Sequence, residues 1–406
     1  MMRWPLAAIV VCLLGSSLSA QGTFDLKYEE ADDAIRQVLG LASRAYAVVP
    51  QAPAEVKALP QDTPGKVFYA AAQLGGKTCW MAVAVDEPPR LWIDLNGNKD
   101  LSDDKPVAGK AEPNRLVFSG VDLPGADKAV ARVRIEAFRP RADGPVSYVM
   151  MQPAGCRMGE VRLADRPYRV ALLDSDLSGR YGDRLTGRFT ATGGDGLAID
   201  LNGDGQFAPP SATTDQWEWM PLAKGLKVGE VYYTVEVSAD GSSVRVEKAV
   251  PRFGGLDLGP GTEVLGASDF GVLRVAPADG KTRVPAGRFT PILIQLSRTD
   301  AAGAKWTLRY SGGAEKLNEF EIRPDEVVQV RLGPPLVAKA EVQTSSSGDA
   351  GSQGRKTVSI DLSLIGQAGE AYAPGAKKGN TQPPPPSLEI LDEAGKVLQS
   401  GKFEYG

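Results

Sequence analysis

Short apolar runs closed by turn residues make up most of this chain, and that texture limits the fold more than any other feature. A period of two marks a strand with one face toward a core, whereas a helix needs apolar residues every three to four positions. The cleanest example is 357–364. There Val358, Ile360, Leu362 and Leu364 alternate with Thr357, Ser359, Asp361 and Ser363, which predicts one dry and one wet face. Segments 67–72 and 78–85 flank Gly75-Gly76, and Tyr232–Val237 and Val244–Lys248 flank Asp240-Gly241. Both read as hairpins, since these dipeptides suit tight turns. Further strands are expected at 90–94, 115–121, 128–138, 146–152, 158–163 and 168–173.

After residue 261 the strands shorten: Val272–Val275, Phe289–Leu296, Trp306–Tyr310 and Val327–Leu332. Leu388–Leu391 and Val397–Tyr405 form a terminal hairpin around Ala394-Gly395. Thr344–Gly354 and Pro374–Pro386 have the serine, glycine, lysine and proline content of mobile segments. One helix is predicted over 29–42. Ala31, Ala34, Ile35, Val38, Leu39 and Ala42 share a face, and acids crowd its first turns where the helix dipole favours them.

The fold class expected is mainly β and multidomain. A signal peptide at 1–20 is followed by an N-terminal helix and antiparallel sheet region at 21–110. A β-domain with acidic loops follows at 111–250, a glycine- and proline-rich linker at 251–261, and a C-terminal Ig-like β-sandwich at 262–406. The export signal is read from Arg3, the apolar stretch Leu6–Leu14 and the small residues before Gln21. It places the protein outside the cytoplasm, secreted or in the periplasm and cell envelope. Later apolar stretches are too short for a membrane span.

Composition excludes several chemistries. The chain has no histidine, so it holds neither a Ser-His-Asp triad nor a histidine zinc site. A net charge of −4 argues against a nucleic-acid partner, which would need a basic face. Beyond the signal, Cys79 and Cys156 can be a disulfide or two buried thiols. Trp217 and Trp219 would share a strand face, either in a core or as a platform for sugars.

Three acidic turns carry the functional signal, each after an apolar run. The first has Asp94, Asn96, Asn98 and Asp100. The second has Asp174, Asp176, Ser178 and Asp183. The third has Asp200, Asn202 and Asp204. Oxygen ligands at positions 1, 3 and 5 of a tight loop converge on one point, which suits calcium with its six to eight oxygens. Position 6, where a sharp turn favours glycine, is Lys99, Gly179 and Gly205; position 8 of the second and third turns is Tyr181 and Phe207.

Over these eight positions the turns resemble EF-hand and dockerin-type calcium loops. The resemblance implies calcium as the bound ion. It also implies a carboxylate at position 12, where this chain has Lys105, Leu185 and Ser211. The last ligand must come from elsewhere, such as Asp183, Asp195 or Asp215. The order of signal, Asp-Leu-Asn-Gly turns and closing β-region also resembles uncharacterised secreted bacterial β-rich proteins. The function expected is a non-enzymatic secreted protein, structural or binding a surface protein or glycan. The alternative is a polysaccharide-active enzyme using paired carboxylates.

Overall fold

The computed structural model describes residues 21–404, apart from 33–34, 37–41, 58, 60–62, 64, 75–76, 126–128, 142–143, 165, 187–192, 209–216, 277–280, 310–318, 347–355, 373–374 and 380. The export segment 1–20 lies outside the described residues. The fold is mainly β and built of antiparallel sheets, with 58% strand and 1% helix. Among the described residues, no helix is long and apolar enough to cross a membrane.

The first unit is one nine-stranded antiparallel sheet. Its strands are β3 (Arg44–Val49), β4 (Val67–Leu74), β5 (Lys77–Ala84), β6 (Arg90–Ile93), β7 (Val107–Ala108), β8 (Lys110–Glu112), β9 (Arg115–Pro124), β10 (Val130–Phe138) and β11 (Tyr148–Pro153). The spatial order is β7-β6-β5-β4-β3-β11-β10-β9-β8. The two edges, β7 and β8, are consecutive in the chain, so one stretch pairs with β6 at one end and β9 at the other. The sheet therefore curls into a barrel around Met81, Leu91, Leu116, Phe118, Val133, Ile135 and Met151. Gly109 lies between those edge strands over Phe118, where a Cβ would come 2.5 Å from the ring.

The second unit packs two sheets. One contains β1 (Gln21–Asp25), β16 (Gly225–Val228), β17 (Val231–Val237) and β18 (Ser243–Ala249). The other contains β2 (Lys27–Glu30), β12 (Gly155–Leu163), β13 (Arg166–Leu173), β14 (Gly196–Ile199) and β15 (Trp219–Pro221). Val161, Val170, Leu172 and Ile199 face Tyr233, Val235, Val244 and Val246. The opposite face of the second sheet buries Cys156, Met158, Ala171, Leu173, Ala198 and Trp219. With both faces covered, the ends of β13 and β14 read as unbroken apolar runs rather than alternation.

The third unit surrounds Leu256, Val264, Phe289, Ile294, Leu296 and Tyr372. It contains a three-stranded sheet of β22 (Lys281–Pro285), β19 (Phe253–Asp257) and β26 (Val327–Gln329). Beside it lies a larger sheet of β21 (Gly271–Val275), β20 (Thr262–Ser268), β23 (Gly287–Thr299), β24 (Lys305–Arg309) and β30 (Lys377–Lys378), with β25 (Phe320–Ile322) also on β23. A long hairpin, β27 (Val337–Ser346) and β28 (Lys356–Ile365), extended by β29 (Ala371–Tyr372) on β28, and a terminal hairpin, β31 (Ser387–Leu391) and β32 (Val397–Lys402), are the remaining strands.

Several boundaries differ from those read in the sequence. The division at 110/111 cuts through β8, and the barrel runs from 44 to 153. Strands β1 and β2, unforeseen in the sequence, pair with β18 and β12, so the chain's first described residues belong to the second unit. Stretch 251–261 is not a linker, because β19 pairs on both sides and Leu256 and Leu258 are buried. Its glycines serve close packing: a Cβ on Gly254 would sit 2.2 Å from the Arg323 carbonyl.

Glu29 and Glu30, assigned to a helix from the sequence, end strand β2. Asp32 accepts the Ile35 N–H through its carboxylate at 2.8 Å and the Arg36 N–H through its carbonyl, and most of the rest of that predicted helix lies outside the described residues. On β28 the predicted dry face is only partly dry, with Val358 55% exposed, because the hairpin extends beyond the core. Most of predicted mobile segment 344–354 lies outside the described residues, whereas 374–386 contains β30, Lys377–Lys378.

Cys79 and Cys156 are both free and buried in different cores, which settles the choice left by the sequence. Burial pushes each thiol up to about 12, with Asp94 adding to the effect at Cys79 and Glu29 at Cys156. A thiolate is the reactive form, so both should resist a disulfide-exchange reagent in the native protein and titrate fully in denaturant. Thiol counting with and without denaturant checks this; rapid native labelling at neutral pH would contradict it.

Candidate metal centre

The three acidic turns share a backbone feature, a left-handed residue at positions 4 and 6. Each opens with a buried aspartate directly after a strand: Asp94 after β6, Asp174 after β13 and Asp200 after β14. Each carboxylate turns back to accept loop N–H groups. Asp94 accepts from Gly97 at 2.8 Å and Lys99 at 3.1 Å. Asp174 accepts from Ser178 at 2.9 Å and Gly179 at 2.8 Å. Asp200 accepts from Gly203 at 2.7 Å and Gly205 at 2.8 Å.

Positions 4 and 6 are left-handed in all three: Gly97 and Lys99, Leu177 and Gly179, Gly203 and Gly205. Lys99 therefore takes the bend without being glycine, at φ 66°. Position 8 anchors each turn. Leu101 packs with Trp92 and Tyr69, Tyr181 packs against the core of the second unit, and Phe207 packs with Trp219 and Ala198.

The loops differ in where their other oxygens go. In the first, the Asn96 and Asn98 amides donate to Asp103, and Asp100 accepts from Ser102 in the open. In the third, the Asn202 amide donates to Asp204 at 3.1 Å, and both side chains are exposed. Buried Glu218 supports that loop by accepting N–H bonds from Leu201, Asn202 and Ala208.

At the second loop, carboxylates converge on one point. Among the described residues, the one cluster with metal-ligand spacing is Asp174, Asp176 and Asp195, whose ligand oxygens lie within 4.8 Å of one another. Asp183 stands beside it, accepting from the Ser178 hydroxyl at 2.9 Å. Asp195 reaches the site because the chain returns across the loop. Its N–H bonds the Asp183 carbonyl, and Gly194 passes where a Cβ would lie 2.8 Å from Arg184 backbone.

Asp195 is 1% exposed. Its Oδ2 accepts the Gly182 and Asp183 N–H groups at 2.7 and 2.8 Å, and its Oδ1 has no partner. Burial, then Asp174 and Asp176, pushes its acid up to about 9. Burial likewise raises Asp174 to about 7, against the N–H bond from Gly179. A buried carboxylate that is neither protonated nor paired is costly. A hard divalent cation would supply the missing positive charge.

Position 12 of this loop is Leu185, which is buried. Asp195 lies beyond the eight-residue pattern and enters through the fold; its sequence signal is an acid at the start of the apolar run 196–199, after two glycines. Asp215 and Ser211 lie outside the described residues.

A groove of about 650 Å3 opens beside this cluster, between the barrel and the second unit. Tyr28, Arg132, Arg157, Asp174, Tyr181 and Asp240 line it. The Arg157 guanidinium lies 6.0 Å from the Tyr28 ring and 5.7 Å from the Tyr181 ring. Trp219 is core, whereas Trp217 lines a separate groove with Lys227 and Phe270. Compared with known proteins, the chain matches no family model, no curated protein and no solved structure.

Proposed function

We propose that this chain is a non-enzymatic protein of the cell envelope or exterior whose acidic turns hold calcium, and which presents its β-surface to a glycan or protein partner. The observation that carries the reading is the buried, unpartnered Oδ1 of Asp195 beside Asp174 and Asp176. Asp174, Asp176 and Asp195 supply the carboxylates, and Ser178 and Asp183 stand next to them. The loops at Asp94 and Asp200 share that backbone feature but spread their oxygens toward solvent, so they are the weaker sites.

Two finer fold readings belong with this. The packed sheets around Val264 and Phe289 support a C-terminal β-sandwich, although β19 and β26 run parallel, unlike an Ig domain. The Asp32 bonds to Ile35 and Arg36 support a short N-terminal helix. The secreted bacterial β-proteins that the layout resembles remain the class we favour.

The polysaccharide-active alternative needs a carboxylate pair in a groove at about 5–5.5 Å or more; the acids beside the groove, Asp174, Asp176 and Asp195, have their oxygens within 4.8 Å of one another, a spacing that suits a shared cation better. The other buried glutamates are occupied. Glu136 is held by Arg115 and Arg134, Glu218 by three loop N–H groups, and Glu370 by Gly333, Ala368 and Tyr372. This favours the non-enzymatic reading.

Calorimetry and thermal melting test it. A site binding only the native state adds about 2.7 kcal/mol at roughly a hundredfold excess over Kd. Millimolar calcium should raise the melting temperature, and magnesium should do so less because it demands tight octahedral geometry. Asp174→Ala with Asp200→Ala should abolish the rise. A melting curve indifferent to calcium, with no binding heat, would leave the turns as ordinary structural loops.

A further inference from the structure

We propose that a calcium ion held by Asp174, Asp176 and Asp195 is a clamp that docks the barrel of residues 44–153 onto the second β-unit. This rests on the calcium reading above and assigns that site a task. The cluster's chain neighbours belong to the second unit, yet Leu177, between Asp176 and Ser178, is buried in the barrel core. The same position is Gly97 or Gly203 in the other two turns, each facing open space. Leu177 holds a left-handed backbone, φ 59°, which branched residues avoid and glycine accepts. A leucine there makes sense as a pin seated in the neighbouring unit.

The backbones around the pin meet without room for a methyl group. A Cβ on Gly125, just after β9, would lie 2.1 Å from the Ser178 carbonyl. A Cβ on Gly179 would lie 2.7 Å from the backbone of Val130 on β10. On its other side, the loop is tied to the second unit by the Tyr181 N–H to the Ala239 carbonyl and by the Asp195 carboxylate. One short loop thus carries two carboxylates, Asp174 and Asp176, toward Asp195 of the second unit and an apolar pin into the barrel. A cation shared by the three carboxylates, whose oxygens lie within 4.8 Å of one another, holds the loop closed and so keeps Leu177 in place. Cation binding and docking then favour each other reciprocally. The Arg132–Glu30 pair also crosses this junction, but it is exposed and contributes little.

Hydrogen exchange of the full chain in calcium chloride and in EGTA tests the clamp, with calorimetry in parallel. Chelation should speed exchange at Leu177–Gly179 and across the facing barrel amides Gly125 and Val130–Ala131, while the far barrel strands β4 and β5 stay protected. Leu177→Gly keeps every carboxylate and the backbone of the sister loops but removes the pin. It should weaken calcium binding at this site about tenfold, within the range of such couplings, and uncouple barrel exchange from calcium. Absence of binding heat overturns the calcium reading and the clamp together. Binding heat with barrel-side exchange indifferent to calcium, or Leu177→Gly with unaltered affinity, overturns the clamp alone. If Leu177→Gly fails to fold, the wild-type exchange comparison decides.

Discussion

Phe207→Ala should lower the stability of the second unit by about 3–5 kcal/mol, the usual cost of emptying a buried phenylalanine site. Phe207 is the position-8 anchor of the third turn, packed with Trp219, Ala198 and Leu173. It joins a polar loop to the outer face of the sheet containing β13 and β14. Arg169 stacks over the ring, its carbon 5.4 Å from the centroid, and donates to the Gly205 carbonyl, so the anchor and the loop backbone are tied at two points. Removing the ring leaves a cavity against a sheet whose opposite face is also packed, so little can collapse into it. The adjacent exposed Gln206 is the control: its alanine variant should stay within about 0.5 kcal/mol of wild type. Urea denaturation of the two variants measures the difference, and similar midpoints would show that the turn is not anchored through Phe207.

Gly179→Ala should be nearly as damaging for a different reason. Gly179 has φ 75°, and a methyl there costs about 1–2 kcal/mol in the left-handed region. The added carbon would also meet Val130 and Ala131 backbone atoms at 2.7 to 2.9 Å. Backbone cannot rotate away as a side chain can, so the loop must shift, at about 1–3 kcal/mol more. Gly203→Ala separates the two effects. Its φ is 79° but no atom lies within 4 Å of its Cβ, so it should show only the conformational cost. Equal destabilisation of both variants in chemical denaturation would mean that the loop does not bear on the barrel.

The acidic turns were legible because their chemistry is local. The position-1 aspartate needs N–H donors three to five residues on, and the chain itself supplies them at Gly97, Ser178, Gly179, Gly203 and Gly205. Hairpins were legible for the same reason. The pairing of β4 with β5 and of β17 with β18 follows from alternation and turn residues. The helix over 29–42 misled at its start, because Glu29 and Glu30 pair with Cys156 and Gly155, far along the chain. Helical periodicity cannot reveal a long-range strand partner that overrides it. The linker misled because glycine signals both flexibility and close packing, and only Arg323 standing against Gly254 distinguishes them.

The sequence by itself determined the β-texture, the absence of histidine chemistry and the shape of three similar turns, because each depends on residue type or on neighbours a few positions apart. It did not determine which turn gathers charge. Tertiary structure brought Asp195 to Asp174 and Asp176, kept the two thiols in separate cores and seated Leu177 in the barrel. Those outcomes depend on burial and on contacts between distant segments. Burial converts an ordinary aspartate into a carboxylate that lacks a partner, and that change is set by what surrounds the residue in space rather than by what precedes and follows it in the chain.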